Sequence, residues 1–346
     1  MKRIIFVFLG LLIATLGFSQ NQLQPAATVN LIRTEAITVG QLRTEVERME
    51  RSTNRTLSAA ERLQVLDVII NERLVLQAAE RDRVAITDNE VNQQLQQFRG
   101  SMAQQLGRQP TDAEFAQAVM TESGLDVNAF REQLRRQMVV QKYLMHTKRH
   151  ILEAVVIPTE AEIAAEYALR RTELVRPDTI RFTMIQVPYG PDAASRQRAR
   201  TLADSLIREI NNDPSKFDEV AARSVAPNSG YQAGDAGYMP RNPEARQVVG
   251  QAFMDVAFAL RQGQISRLIE GVQGFQIIKV TENYASRQLE LTDILQLGTR
   301  ITVRDYIGQL LLSQRQQAAL ARASNELVTE LRSNRSFQVF ENNIRW

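Results

Sequence analysis

His146 and His150 are the only imidazoles in the chain, and there is no cysteine. Four residues apart on a helical pattern, they would share one face and offer two nitrogens to a metal ion. No HExxH pattern or third ligand accompanies them, and their neighbours Lys148 and Arg149 suit a solvated helix end. No metal site is therefore expected. Without a thiol or another imidazole, Ser-His-Asp and Cys-His nucleophilic systems are excluded. Glycines cluster in Gly230-Tyr-Gln-Ala-Gly-Asp-Ala-Gly237, which reads as a turn. It neither follows a strand nor opens a helix, so it is a poor phosphate cradle. No P-loop or dinucleotide fingerprint occurs, and no cofactor is expected. These exclusions turn attention from covalent chemistry to binding.

The elements that would position a site are legible in periodicity and caps. Val29–Thr38 alternates and predicts a short strand or hairpin. From Val39 to about His150 the pattern is helical. Leu42, Val46 and Met49 mark a first helix, and Ser58 with Glu61 forms a capping box before Leu66, Ile70 and Leu74. Thr87-Asp88, Pro110-Thr111 and Asp126 open three more, and Gly124 ends one. Each helix has one apolar stripe, so together they predict a bundle with an incomplete core. A further helix, Thr159–Thr172, bridges to a different texture, and Arg176-Pro-Asp178 marks a boundary.

Beyond it, Thr179–Val187 reads as a strand, Ala193–Asn211 and Phe217–Arg223 as helices. A helix near Phe253–Leu260 and a strand Gly274–Thr281 follow. That order suits a small mixed sheet with helices packed on it. Ile301–Arg332 then predicts a long helix, and Phe337–Phe340 a last strand.

With 346 residues, two or three domains are expected. A hydrophobic fraction of 44% with 23% charged residues describes an ordinary globular chain. Lys2 and Arg3, then an apolar run to Leu16, then Gly17 and Ser19 predict a secretory signal cleaved after Ser19. The run is short of the ~20 residues of a spanning helix, so no stable membrane insertion is expected once it is removed. The formal charge of +3 then falls to 40 basic against 39 acidic residues, since 42 loses Lys2 and Arg3. A chain so near neutrality has no excess charge for holding nucleic acid. Export with no cysteine predicts a disulfide-free protein that relies on packing alone.

Ser224-Val-Ala-Pro-Asn-Ser-Gly-Tyr-Gln-Ala-Gly-Asp-Ala-Gly-Tyr238, Phe253-Met-Asp-Val-Ala-Phe-Ala-Leu260, Gly263-Gln-Ile-Ser266 and Gly274-Phe-Gln-Ile-Ile-Lys-Val280 together resemble the second half of a parvulin, or PpiC-type, peptidyl-prolyl isomerase domain. Parvulins resemble one another in two histidines plus a cysteine or aspartate on the floor of an apolar cavity. Carried over, the first histidine position holds Met184, the Asp-Cys pair Ala226 and Pro227, and the second histidine Gln276. The resemblance places the cavity wall at Ala236, Val249 and Phe253, with Met184 and Gln276 completing the substrate pocket. Phe253 has two readings, pocket wall or simple core packing. Gln276 likewise reads as a satisfied buried amide or a catalytic group. Gly234, Gly237 and Gly274 read as backbone geometry.

Asn71-Glu-Arg-Leu-Val-Leu-Gln77, Val84-Ala-Ile-Thr-Asp-Asn-Glu90 and Gly124-Leu-Asp-Val-Asn-Ala-Phe-Arg-Glu-Gln-Leu-Arg-Arg-Gln137 widen the resemblance to the SurA class of periplasmic chaperones. The implied fold is α+β: a helical SurA-N-like domain completed by the C-terminal helix and strand, plus one small parvulin-like mixed β-sheet domain with flanking helices. The implied bounds are 1–19 signal peptide, 20–172 helical domain, 176–284 parvulin-like domain and 285–346 C-terminal return. The implied function is a periplasmic chaperone for unfolded or nascent outer-membrane polypeptides, with a weak or inactive isomerase domain. The rival from the same resemblance is an active prolyl isomerase.

Overall fold

The structure, a computed structural model, describes residues 22–333 and 335–346, and the expected signal segment lies outside them. The chain divides into two compact units, one up to Val155 together with Arg315–Trp346, the other Val156–Gln314.

The first unit opens with the expected hairpin, Pro25–Asn30 (β1) and Thr34–Thr38 (β2). Gln77 explains how its turn is held. Its buried Oε1 accepts from the Leu31 and Ile32 amides at 3.0 and 3.1 Å, and its Nε2 donates to Glu35 at 3.3 Å. Helices follow at Val39–Thr53 (α1), Ala59–Arg81 (α2), Asp88–Leu106 (α3), Asp112–Ser123 (α4), Val127–Thr147 (α5) and Arg149–Glu153 (α6). Thr38, Ser58, Thr87 and Thr111 each close a capping box, so local sequence alone starts four of these helices. Gly124 ends α4 in the left-handed region at φ 71°.

Two apolar clusters result. Val91, Leu95, Phe115, Val119 and Leu134 join α3, α4 and α5. A larger core gathers β1, β2, α1, α2 and the end of α5, and it is completed from the far end of the chain. Ala323, Leu327 and Leu331 of the long helix Val303–Ser333 (α12) enter it, together with Ile344. Phe337–Val339 (β9) pairs antiparallel with β1, Ala27 opposite Val339 and Val29 opposite Phe337. His146 lies on α5 and His150 on α6, both exposed. The chain breaks between them at Lys148, which is buried and pairs with Glu330, so the single helix expected for the pair is not formed.

The second unit begins with Glu160–Arg170 (α7), whose Ile163 and Tyr167 pack on Leu174, Leu289, Val303 and Ile307. That packing takes α7 and residues 285–314 into this unit, rather than leaving them with the helical domain and the C-terminal return. Val175–Arg176 (β3) pairs with Arg287–Gln288 (β8). The main sheet contains Thr179–Pro188 (β4), Gln232–Pro240 (β5), Ile269–Glu270 (β6) and Gly274–Tyr284 (β7), in the order β5-β4-β7-β6. All three pairings are antiparallel, so the mixed sheet expected within the α+β fold is uniform in direction. Helices are Ala193–Asn212 (α8), Phe217–Arg223 (α9), Pro243–Val249 (α10) and Gln251–Ala257 (α11).

The expected Gly-rich turn is in fact the edge strand β5. Tyr238 faces Arg181 and Asp235 faces Thr183, so Ala236 and Gly237 together oppose Phe182. Gly237 supplies the positive φ of 75° that this bulge needs. At Gly274 the reason is contact: a Cβ there would lie 2.4 Å from the Val187 carbonyl oxygen.

Candidate functional site: a cavity on one face of the sheet

Strand alternation sorts the second unit's core into two faces. Ile185, Val187, Phe275 and Ile277 face α8 and α9. Phe182, Ile278 and Val280 face the other way, packing with Phe253, Met254 and Ala257 of α11. On that second face the packing is incomplete and leaves a cavity of about 380 Å³. Its apolar walls are Phe182, Met184, Met239, Val248, Val249 and Phe253. Ala236, Ala245 and Val272 complete them, and the polar contributors are Gln186, Tyr238, Gln273 and Gln276. No histidine, carboxylate, lysine or arginine is among these lining residues.

Met184 on β4 sits opposite Ile278, and Gln276 on β7 opposite Gln186, which brings both onto the cavity face. Gln276 is buried, and its Oε1 accepts no hydrogen bond among the described residues. A Cβ on Gly271 would fall 2.5 Å from that oxygen, so a glycine is what leaves room for the amide. A buried acceptor without a donor costs roughly 1–3 kcal/mol. Gln276→Met, nearly isosteric and free of that penalty, is accordingly expected to raise stability by about 1 kcal/mol in urea denaturation. Destabilisation by the same amount would mean that the amide has a partner in solution.

Tyr238 is the most constrained polar wall. Its hydroxyl donates to Glu282 Oε2 at 2.9 Å, and Tyr284 donates to the same oxygen at 2.5 Å. Arg181 Nη1 donates to Glu282 Oε1 at 3.0 Å, and the Arg181 guanidinium lies 5.2 Å from the Tyr238 ring centre. The Tyr284 and Tyr238 hydroxyls, with Arg181, hold the Glu282 carboxyl below its ordinary pKa. The same carboxylate pushes Tyr284 up to about 12. Three donors on one carboxylate fix the ring that faces the cavity.

The structure thus brings Met184, Ala236, Val249, Phe253 and Gln276 to one cavity. Ala226 and Pro227 are exposed in the turn after α9 and do not line it. Phe253 is 1% exposed and belongs to the core as well as the wall. Sequence reasoning missed Phe182, Gln186, Tyr238 and Val248, and also Met239, Ala245, Val272 and Gln273. The first two follow from Met184 by the period of two, whereas Tyr238 lies beyond the bulge at Ala236–Gly237, where that period breaks. Val248 comes from α10, which was not expected although Asn242-Pro243 carries its start signal. The Asn242 side chain accepts from the Ala245 amide, with proline in the first turn.

Two family models match the chain. The PPIC-type PPIase domain covers residues 182–282, and the SurA-like N-terminal domain covers residues 1–144. Among named relatives, Chaperone SurA of Nitrosococcus oceani is 27% identical over 318 residues, covering 85% of this chain and 70% of that protein. Chaperone SurA of Pseudoalteromonas translucida is 25% identical over 234 residues, 67% of this chain and 50% of that protein. The chain therefore spans about half the length of several relatives it matches. A solved structure described with the SurA-like chaperones PEB4 and Cj1289 of Campylobacter jejuni aligns with a TM-score of 0.39 at 12% identity. That alignment covers 92% of this chain and 100% of that one. The chain joins a SurA-like N-terminal domain to a single PPIC-type peptidyl-prolyl isomerase domain.

Proposed function

We propose that this chain is an exported, periplasmic chaperone that holds unfolded or nascent outer-membrane polypeptides, and that its PPIC-type domain binds prolyl segments with little or no turnover. One observation carries the second half of that reading: the cavity lining holds neutral side chains only. Rotation about an Xaa-Pro bond faces a barrier of ~18–20 kcal/mol set by amide resonance. A catalyst must stabilise the twisted amide more than the planar one, which calls for directed electrostatics and not only an apolar seat. Here the seat is present, and Met184 and Gln276 stand where the resemblance would put imidazoles.

The matches to proteins named Chaperone SurA support the polypeptide-holding half. Burial of apolar client side chains, without a nucleotide, would supply the binding energy. The test is light scattering from an unfolded outer-membrane β-barrel diluted out of urea. Stoichiometric protein is expected to suppress aggregation, and Met184→Ala, at a half-buried cavity residue, is expected to leave that suppression intact. Unchanged scattering would reject the chaperone reading. An active prolyl isomerase is the second reading, favoured by the family match over residues 182–282 and by the surviving apolar cup.

A further inference from the structure

A second cavity, of about 340 Å³, lies within the same unit and shares Tyr238 with the first. Leu174, Pro177, Leu289, Leu295 and Leu297 give it apolar walls, and Tyr238 lines both cavities. The segment around Gly298 is tight against that ring, since a Cβ on Gly298 would lie 3.2 Å from Tyr238 Cδ2. The cavity also contains one cationic side chain, Arg176 of β3. Its Nε is buried and donates to nothing among the described residues. Its guanidinium carbon lies 5.0 Å from the Tyr284 ring centre, which satisfies no N–H.

The acids nearby make their hydrogen bonds elsewhere, and Asp293 acts on Arg176 through charge alone. Arg176 pairs across the β3–β8 ladder with Arg287, and Arg287 holds Asp293 through Nη1 at 2.7 Å. Asp293 also accepts from the Glu290 amide. Glu173, which lines the cavity, lies 3.7 Å from Arg170, and Glu282 is taken by Arg181 and the two tyrosines. An arginine with a buried free donor beside an apolar chamber is the arrangement that a carboxylate next to an apolar group completes. The volume sits at the small end of the ~300–1,000 Å³ typical of ligand pockets, enough for a side chain or two.

We propose that this second cavity is a ligand subsite for a peptide carboxylate carried beside a bulky apolar side chain, with Arg176 as the residue that reads the charge. The carboxylate can belong to a chain end or to an acidic side chain. Small ligands keep the test separate from the chaperone reading, because they occupy the cavity or not whether or not the protein holds unfolded polypeptide.

The experiment follows the Arg176 Nε–Hε resonance of the full chain, assigned by its loss in Arg176→Gln. Three probes are added: N-acetyl-leucine, its neutral isostere N-acetyl-leucinamide, and a doubly blocked Leu-Glu dipeptide. At least one carboxylate probe is expected to shift the resonance saturably, with affinity about tenfold above the neutral isostere. Saturation by N-acetyl-leucine alone assigns the site to chain ends, and by the blocked dipeptide alone to acidic side chains. In Arg176→Gln, followed through the amides of Leu289 and Leu297, the preference is expected to vanish. Equal response to all three probes, no response to any, or a preference that survives in Arg176→Gln would overturn the proposal. The wild-type comparison decides the matter by itself if that variant folds poorly.

Discussion

A chain ending at Gln314 is expected to lose the cooperative fold of its first unit. The cut removes Ala323, Leu327, Leu331 and Ile344 from the larger core and strips β9 from the edge of β1. Truncating a single buried leucine or isoleucine to alanine costs roughly 2–5 kcal/mol. Three such losses together exceed much of the ~5–15 kcal/mol that holds an ordinary domain. The backbone of β1 would also gain an open edge where Ala26 now accepts from the Phe340 amide and Asn30 donates to the Ser336 carbonyl. Amide exchange provides the check: Ala27 and Val29, protected in the full chain, are expected to exchange at near-unfolded rates after the cut. Retained protection would mean that residues 22–155 form a self-sufficient core.

Phe253→Ala should have the next largest effect, about 3–5 kcal/mol of lost stability in the second unit. The ring is almost wholly buried, with its centre 5.7 Å from that of Phe182 at a tilt of 53°. It packs with Ile180, Met239, Ile269, Ile278 and Val280, across all four strands of the sheet. Urea denaturation followed by circular dichroism measures the loss, and a cost below about 1 kcal/mol would show a replaceable wall instead of a core residue. The consequence for function is practical. Because wall and core coincide at Phe253, any activity lost in this variant could reflect unfolding. Met184 and Val248, less buried on the same cavity, are cleaner probes.

What the sequence made legible was mostly local. The capping boxes at Ser58, Thr87 and Thr111 depend on residues three apart, and each opens a helix where the pattern predicts it. The amphipathic period of α12 and the short strand after it are equally local, and so is the hairpin before α1. The difficulties came from choices between distant partners. Strand β5 has a strand neighbour on one side only, and its glycines and aspartate serve a bulge, so its composition resembles a turn. Helix α7 has an apolar stripe that fits either unit by pattern alone; only the meeting of Ile163 with Leu289 and Val303 decides.

The candidate site shows the same split. Met184, Ala236, Val249, Phe253 and Gln276 share a cavity, having been placed there by resemblance to a family pattern. The hub at Glu282 was not visible, because Arg181, Tyr238 and Tyr284 converge on it from three separate stretches of chain. Ala226 and Pro227, aligned to a polar pair of the family, stand in an exposed turn and do not line the cavity.

The most direct test of the account is the rate at which the purified chain isomerises a prolyl tetrapeptide, measured across about pH 5.5 to 8. A cavity lined by methionine, glutamine, aromatic and aliphatic side chains holds no histidine or carboxylate that could titrate in that window. The prediction is a rate close to the uncatalysed one and flat with pH. Rapid turnover, above all turnover that rises or falls through an inflection in that range, would contradict it.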